Sequence, residues 1–429
     1  MNVAFCTLGC KVNQYDTQAM RELFECAGYD IVEFEDVADI YLINTCTVTA
    51  TSDKKSRQMI SRAHSLNPDA KIIVTGCYSQ RAPEEISNLP GVALVLGTKD
   101  RLRVIELLKS VYNGSKQNAV GELVTERNFE LLTASHEGRT RAHLKIQEGC
   151  DRYCTYCIIP YTRGPLRSRP IASVKDELVK LSNEGYCEVV LTGIHLMSYG
   201  KDMKDTVSLA DAIQQANDID GIKRIRLGSL EPQMLSVETV DMLTSNPKIC
   251  RHFHLSLQSG SDTVLKRMNR RYDTAGYSDC VNRLRAAMPG CAITTDIITG
   301  FPGESEEEFD ETMRFVEKIG FARIHAFPYS RRAGTKAADM PSQVPRGIKA
   351  ERTSKLIELG ERCERRYIKG FVGSDVDVLF EECNGEWIQG YTDTYIRVRV
   401  ICAKNTLQGT IAKVHITQAE QEHLTGELI

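Results

Sequence analysis

The stretch His143-Leu144-Lys145-Ile146-Gln147-Glu148-Gly149-Cys150-Asp151-Arg152-Tyr153-Cys154-Thr155-Tyr156-Cys157 decides how the chain is read. A short strand-like run, residues 143–146, leads into a loop whose cysteines are spaced C-x3-C-x2-C. Three thiolates on one loop can hold three corners of a four-iron cluster, which leaves the fourth iron open. An electron-transfer ferredoxin normally closes its cluster with a fourth Cys, so the incomplete set points to a small molecule at the vacant corner and to chemistry there. A structural zinc loop is the competing reading.

Working outward, strand-like runs recur at 188–192, 224–227, 252–257, 293–298 and 323–327, with helical patterns between them. Six β/α repeats predict an open, partial (β/α)6 barrel. The cysteine loop then follows the first strand at its carboxyl end, where barrel enzymes place their sites.

Upstream, apolar runs at 3–8, 40–44 and 72–75 alternate with helical patterns at 17–27, 52–66 and 101–111, which predicts a small parallel α/β layer. Cys10, Cys46 and Cys77 follow its strands. The carboxyl ends of parallel strands share one rim, so a second three-ligand cluster is expected there; three unrelated buried thiols are the alternative. Gly9 and Gly76 precede two of these cysteines and would let backbone approach a cluster closely. Cys6 lies within the strand and is a weaker candidate.

Residues 113–140 are polar and irregular and read as a linker, while 370–429 switch to short alternating strands with turn signals such as Asn384-Gly385, which predicts a small β-barrel. The expected organisation of this α/β protein is 1–112, an N-terminal α/β layer; 113–140, a linker; 141–369, the partial barrel with a basic C-terminal helix; and 370–429, the β-barrel.

At 429 residues, 42% hydrophobic and 26% charged, the chain can bury full cores. No run approaches the roughly 18 apolar residues of a membrane span, and the N-terminus lacks a basic segment followed by an apolar one. A cytoplasmic protein without membrane contact is expected. Fifteen Cys is an odd number that favours metal ligation over a disulfide framework. The net charge of -3 argues against a strongly basic nucleic-acid binder, yet residues 323–369 hold twelve Lys/Arg against five Asp/Glu. Such a stripe can follow a phosphate backbone. It can equally be a solvated helix face with pairs such as Glu361 with Arg365. The last sixty residues are acidic, four Lys/Arg against nine Asp/Glu.

Two Cys triads, one on an α/β layer and one on a partial barrel, followed by a β-barrel, resemble the radical S-adenosylmethionine (SAM) methylthiotransferases. The stretches Thr7-Leu8-Gly9-Cys10-Lys11-Val12-Asn13-Gln14, Asn44-Thr45-Cys46, Thr75-Gly76-Cys77, Leu257-Gln258-Ser259-Gly260-Ser261 and Thr295-Asp296-Ile297-Ile298-Thr299-Gly300-Phe301-Pro302-Gly303-Glu304 resemble family motifs. The resemblance implies two 4Fe-4S clusters, one on Cys150, Cys154 and Cys157 whose open iron chelates SAM, and an auxiliary one on Cys10, Cys46 and Cys77. It implies reductive release of a 5'-deoxyadenosyl radical, methylation of auxiliary sulfur by a second SAM, and a C-terminal module that looks like a TRAM domain. Expected SAM contacts are Tyr156, Thr192, Gly193, Gln258 and Asp296. Expected RNA contacts are Arg163, Arg167, Arg169, Arg331 and Arg332.

Gly9-Cys10-Lys11-Val12-Asn13 looks like the branch that methylthiolates carbon-2 of N6-threonylcarbamoyladenosine beside the tRNA anticodon. Isopentenyladenosine tRNA, a ribosomal-protein aspartate, and a non-catalytic iron-sulfur RNA-binding regulator are the alternatives. An aromatic C-H bond is outside the reach of ordinary acid, base or nucleophilic side chains, so no catalytic side chain is expected. Implied partners are the tRNA anticodon stem-loop, an electron donor such as flavodoxin or ferredoxin, and a sulfur donor.

Overall fold

The computed structural model describes residues 1–114, 116–134, 140–401 and 407–429. Parts of the expected linker, 115 and 135–139, lie outside the described residues. Six parallel strands open the chain: β1 (Asn2–Thr7), β2 (Asp30–Val32), β3 (Ile40–Thr45), β4 (Lys71–Gly76), β5 (Val92–Val95) and β6 (Gln117–Asn118), in the order β2-β1-β3-β4-β5-β6. The edge strand β6 falls within the segment expected as linker. Every residue of β3 is buried, because helices cover both faces of a parallel sheet. Since β1, β3 and β4 are neighbours, the cysteines that follow them share one rim. The helix after β1 runs Lys11–Cys26, six residues earlier than its pattern starts. Asn13 secures this early start by donating from Nδ2 to the Leu8 and Thr45 carbonyls at 2.7 and 3.0 Å.

The barrel strands are β7 (Arg141–Lys145), β10 (Glu188–Thr192), β11 (Arg224–Leu227), β12 (His252–His254), β13 (Ala292–Thr299) and β14 (Arg323–Pro328). They form two three-stranded parallel sheets, β11-β10-β7 and β12-β13-β14. Parallel bridges Ile225 to Ile249 and Leu230 to Leu255 join them into the expected open barrel of six. β12 stops short of its expected end at 257; Gln258 takes φ +70° and bridges Ile297 alone. A two-stranded antiparallel piece, β8 (Gln147–Glu148) with β9 (Arg167–Ser168), frames the cysteine loop. The helix Arg346–Lys369 carries much of the basic stripe. Its pairs Glu361 with Arg365 and Glu351 with Lys355 lie on the solvent side, as the helix-face reading has it.

The C-terminal strands β15 (Asp375–Cys383), β16 (Trp387–Thr392), β17 (Arg397–Ile401), β18 (Ile411–Ala419) and β19 (Leu424–Leu428) close a barrel in the order β15-β16-β17-β19-β18. The turn between β16 and β17 enters the amino-terminal end of the larger barrel. There Arg226 donates to the Thr392 and Asp393 carbonyls at 3.1 and 2.9 Å. Among the described residues no helix is long and apolar enough to cross a membrane.

Candidate active site between two cysteine triads

The barrel triad is shaped by its backbone. Gly149 takes φ +73°, and a Cβ there would sit 1.8 Å from the Pro165 carbonyl oxygen, so only glycine fits. Cys150 N–H then donates to the Gly164 carbonyl at 3.1 Å, and Cys157 N–H to that of Cys154 at 2.9 Å. Burial pushes the Cys150 thiol up to about 11 and the Cys157 thiol up to about 12, and the neighbouring Cys154 adds to both. Three mutually repelling thiolates need cations, which iron supplies when bound. Arg270 contributes one from the protein, donating from Nη1 to Cys154 Sγ at 3.2 Å.

On the facing rim, Cys46 and Cys77 are buried and Cys10 is exposed. Burial nevertheless raises the Cys10 thiol, with Arg163 opposing and Cys77 adding to the rise. Burial, Cys77 and Cys10 raise Cys46, so the three thiols act on one another. Gly9 has φ +107°, and a Cβ there would lie 2.9 Å from Cys46 Cβ and 3.1 Å from its sulfur. At Gly76, by contrast, a Cβ would strike Asn44 Oδ1 at 2.4 Å and the Thr45 backbone. That glycine makes room for the neighbouring strand. Cys6 packs into the apolar core beside Ala4 and Ile43, away from the rim.

Among the described residues no three metal-binding side chains are close enough to share a single ion. A four-iron cubane places each thiolate on a different iron, so ligands of a cluster need not meet at one point. Two sets of three soft thiolate donors, each beside an Arg, fit iron-sulfur clusters.

The short helix Ile159–Arg163 follows Cys157 and joins the two triads. Arg163 donates from Nε to Cys77 Sγ at 3.3 Å and from Nη2 to Asn13 Oδ1. Its Nη1 meets Asp16 at 3.0 Å and also Glu148. Arg101 and Lys145 complete this buried set: each pairs with Asp16, and each reaches Glu148, at 3.1 and 3.0 Å. Farther round, Arg332 holds Asp53 at 2.6 Å and Thr47 at 2.7 Å, while Arg81 donates to the same carboxylate at 2.9 Å. Thr47 is the residue after Cys46, so this second strut steadies another cysteine of the N-terminal triad.

These partners correct the expected RNA surface. Arg163, Arg167, Arg169 and Arg332 are buried at 4% exposure or less. Arg167 donates to the Arg163 carbonyl at 2.8 Å, and Arg169 to Tyr15 Oη at 2.9 Å and Glu177 at 3.3 Å. Buried arginines persist where carboxylates and carbonyls satisfy them, and here they join modules. Arg331 is the exposed member of the set.

Of the expected SAM contacts, Thr192 and Gly193 lie at the end of β10, whereas Asp296 lies within β13, Gln258 beyond the end of β12 and Tyr156 in the cysteine loop. Tyr156 packs beside Val264, Met268, Phe301 and Tyr329. Thr192 ends β10, its carbonyl accepting from Ile146 N–H at 3.0 Å. Gly193 abuts Gln147, whose Oε1 would lie 2.8 Å from an added Cβ and accepts from His195 N–H at 2.6 Å. Asp296 lies 3.3 Å from His254 Nε2. Glu231 escaped the sequence reading. It follows β11 at a barrel strand's carboxyl end, the one signal that marked it. Burial alone would raise its carboxyl, but His195 at 2.6 Å, Arg270 and Arg152 hold it at about 2.

A family model described as uncharacterized protein family UPF0004 matches residues 2–97, and the Radical SAM superfamily model matches 144–316. The threonylcarbamoyladenosine tRNA methylthiotransferase MtaB of Bacillus subtilis (strain 168) is 44% identical, across 100% of this chain and 96% of that protein. The Thermotoga maritima protein of the same name is 39% identical, covering 91% and 89%. A tRNA-2-methylthio-N(6)-dimethylallyladenosine synthase of Pelotomaculum thermopropionicum is 36% identical, covering 98% and 96%. Among solved structures, the radical S-adenosylmethionine methyltransferase TsrM of Kitasatospora setae, with cobalamin and a [4Fe-4S] cluster bound, aligns at TM-score 0.59 and 15% identity over 79% of this chain and 77% of that one. At that identity the likeness concerns the fold alone. Relatives matching end to end, together with the two triads on their two modules, establish that the chain belongs to the radical-SAM methylthiotransferase family.

Proposed function

We propose that the protein methylthiolates tRNA, replacing the hydrogen on carbon-2 of N6-threonylcarbamoyladenosine beside the anticodon with a methylthio group. The observation that carries this reading is the joining of two separate three-cysteine sets through one residue, Arg163, which touches Cys77 and sits six positions after Cys157. Cys150, Cys154 and Cys157 would hold the cluster that binds SAM, and Cys10, Cys46 and Cys77 the auxiliary one. When bound, these groups supply one-electron cleavage of a carbon-sulfur bond and a sulfur atom, chemistry that no side chain provides.

The chain's own task is placement. Tyr156, Thr192, Gly193, Gln258 and Asp296 would line the SAM site. The struts through Arg163 and Arg332 fix the rims' separation, so that an adenine admitted between them meets both reacting groups before water does. An anticodon loop is single-stranded, so its base can be splayed outward without melting a duplex. Arg331 is the exposed arginine retained for the RNA surface. The reading keeps the four-part organisation 1–112, 113–140, 141–369 and 370–429, with a TRAM-like final module. It calls for a one-electron donor such as flavodoxin or ferredoxin and for a sulfur donor, and it places the reaction in the cytoplasm.

Mass spectrometry of nucleosides from tRNA of cells with and without the protein tests the reading. Loss of 2-methylthio-N6-threonylcarbamoyladenosine, with its unthiolated precursor accumulating, supports it. Loss of the dimethylallyl derivative instead, or of neither, overturns it.

A further inference from the structure

The larger barrel is open on one side. Among the described residues β7 and β14 are outer strands of their sheets and do not pair with each other. The α/β layer spans the gap between them. It holds β7 through the ion pair of Asp16 with Lys145. It holds the loop after β14 through Ala50 N–H, which donates to Ser330 Oγ at 3.0 Å, and through Asp53, which accepts from Arg332 at 2.6 Å.

β14 turns its two faces to different surroundings. Ile324 lies against the helix Arg346–Lys369, where a Cβ added to Gly360 would come 3.3 Å from the Ile324 Cβ, and Ala326 packs on the same core. Side chains alternate along a strand, so Arg323, His325 and Phe327 point the other way, into the lumen. The His325 ring stands 6.1 Å from the ring of His254 on β12, which confirms that direction. All three are exposed, the Arg323 side chain at 57% and Phe327 at 47%.

A phenyl ring on a strand normally packs. Phe327 has no ring contact among the described residues and takes no part in the apolar core. Its neighbours bracket its place. Ile298, its partner on β13, packs on the same apolar cluster as Tyr156 of the cysteine loop, and Tyr329, two residues on, is buried with its ring 5.6 Å from that of Phe301. At Ser330 the chain already docks on the α/β layer. The bare ring therefore stands in the cleft between the loop of one triad and the layer that carries the other.

Cations flank it. Arg323 precedes the ring on the same face, and Arg331 follows it, exposed, just past the strand. Arg323 makes only a long pair with Glu364, 3.8 Å, and β14 itself has no carboxylate. Asp296, across from His325, lies beside His254 at 3.3 Å. A cation, a bare aromatic ring and a second cation along one open edge suit single-stranded RNA, with guanidinium on phosphate and ring on base. SAM carries a sulfonium and no phosphate, so two flanking cations would gain nothing from it.

We infer that the lumen face of β14 is the track that receives the anticodon loop: Phe327 stacks on one of its unpaired bases, and Arg323 and Arg331 hold phosphates to either side. This rests on the function proposed above and names the surface that brings the adenine into the cleft.

The test uses cluster-loaded enzyme and an anticodon stem-loop carrying N6-threonylcarbamoyladenosine. Phe327→Ala is expected to raise the stem-loop Kd about 10- to 100-fold in fluorescence anisotropy and to raise KM far more than it lowers kcat, while Phe327→Trp recovers most of the affinity. Arg323→Ala should reduce the salt slope of binding by about one charge. Release of 5'-deoxyadenosine without RNA should match wild type in all three variants. An intact Phe327→Ala that binds the stem-loop as wild type does overturns the proposal. So does an equal loss in RNA-free SAM cleavage, which would put the adenine of SAM on this ring. Iron content and melting temperature identify a damaged variant. Should Phe327→Ala be damaged, wild type is photocrosslinked to a stem-loop with 4-thiouridine beside the target adenine: adducts on residues 323–331 support the track, and adducts confined to other segments overturn it. A wild type that binds through this face yet adds no methylthio group to the adenine would sink the functional reading and leave the surface standing.

Discussion

Arg163 Nε lies 3.3 Å from Cys77 Sγ, so a cation on the helix that follows one cysteine triad rests on a cysteine of the other. The same guanidinium meets Asp16 and Glu148, which ties cluster geometry to the interface between the modules. A thiolate at Cys77 gains a hydrogen bond and a compensating charge there, and burial of the pair keeps both from being screened.

Removing that side chain is therefore expected to act twice. Arg163→Met leaves Asp16 and Glu148 with only Arg101 and Lys145, and unpairing buried charge costs about 3 kcal/mol. Thermal unfolding should register the loss. Methylthiolation should fall further than 5'-deoxyadenosine formation, because the barrel triad keeps its own cation, Arg270. Equal losses in both activities would contradict the bridging role.

The triads should separate in their effects. Ala at Cys10, Cys46 or Cys77 is expected to abolish methylthiolation while SAM cleavage persists, with iron falling from about eight to about four per chain. Ala at Cys150, Cys154 or Cys157 should abolish both activities. Iron analysis and product assays on the same preparations check each case. Methylthiolation surviving in the first set would remove the auxiliary assignment.

The N-terminal triad was legible because each of its cysteines follows a strand whose apolar run is self-evident, and adjacency of β1, β3 and β4 brings their ends together, while the barrel triad was legible because its three cysteines share one short loop. The barrel and the closed C-terminal barrel were legible for the same reason of periodicity. What stayed hidden is side-chain pairing across modules. Arg163 and Cys77 are 86 positions apart, and Arg332 and Asp53 are 279 apart; no local pattern links such partners. Arginines after a cysteine loop read as a cationic surface because charge alone does not announce burial. The start of the helix at Lys11, six residues before its pattern, was missed because its cap residue, Cys10, makes no side-chain capping bond. The capping signals of sequence reading depend on such bonds.

Adjacent arginines should behave oppositely. Arg331 is exposed, whereas Arg332 is 4% exposed and bonded to Asp53 and Thr47. Arg331→Ala is expected to weaken stem-loop binding with little change in stability, and to reduce the salt slope by about one charge. Arg332→Ala should lower the melting temperature in the absence of RNA and disturb Cys46 through Thr47. Salt-dependent binding curves and melts of both variants decide this. The reverse assignment, Arg332→Ala losing RNA contact at unchanged stability, would mean that this side chain leaves Asp53 in solution.

Acid sensitivity gives the last test. Glu308 is the third residue of the helix Glu306–Ile319, where its carboxylate accepts from Ser305 N–H at 3.0 Å and from Arg267 at 2.8 and 2.6 Å. The Arg267 hydrogen bond is the main reason its carboxyl sits at about 2 and not near 4.5, with burial opposing and Thr263 assisting. A folded-state value below the unfolded one means the stabilisation is complete above the unfolded value and fades as pH falls through the folded one. After allowance for solvent screening, Glu308→Gln is expected to cost about 1 to 2 kcal/mol at neutral pH. The gap between wild type and variant should narrow steadily as pH drops from about 4.5 toward about 2. Other carboxylates titrate in both proteins and cancel in the difference. Urea midpoints measured for the pair across that range check it, and a gap that stays constant to its acid end would show that Arg267 does not hold this carboxylate in its charged form.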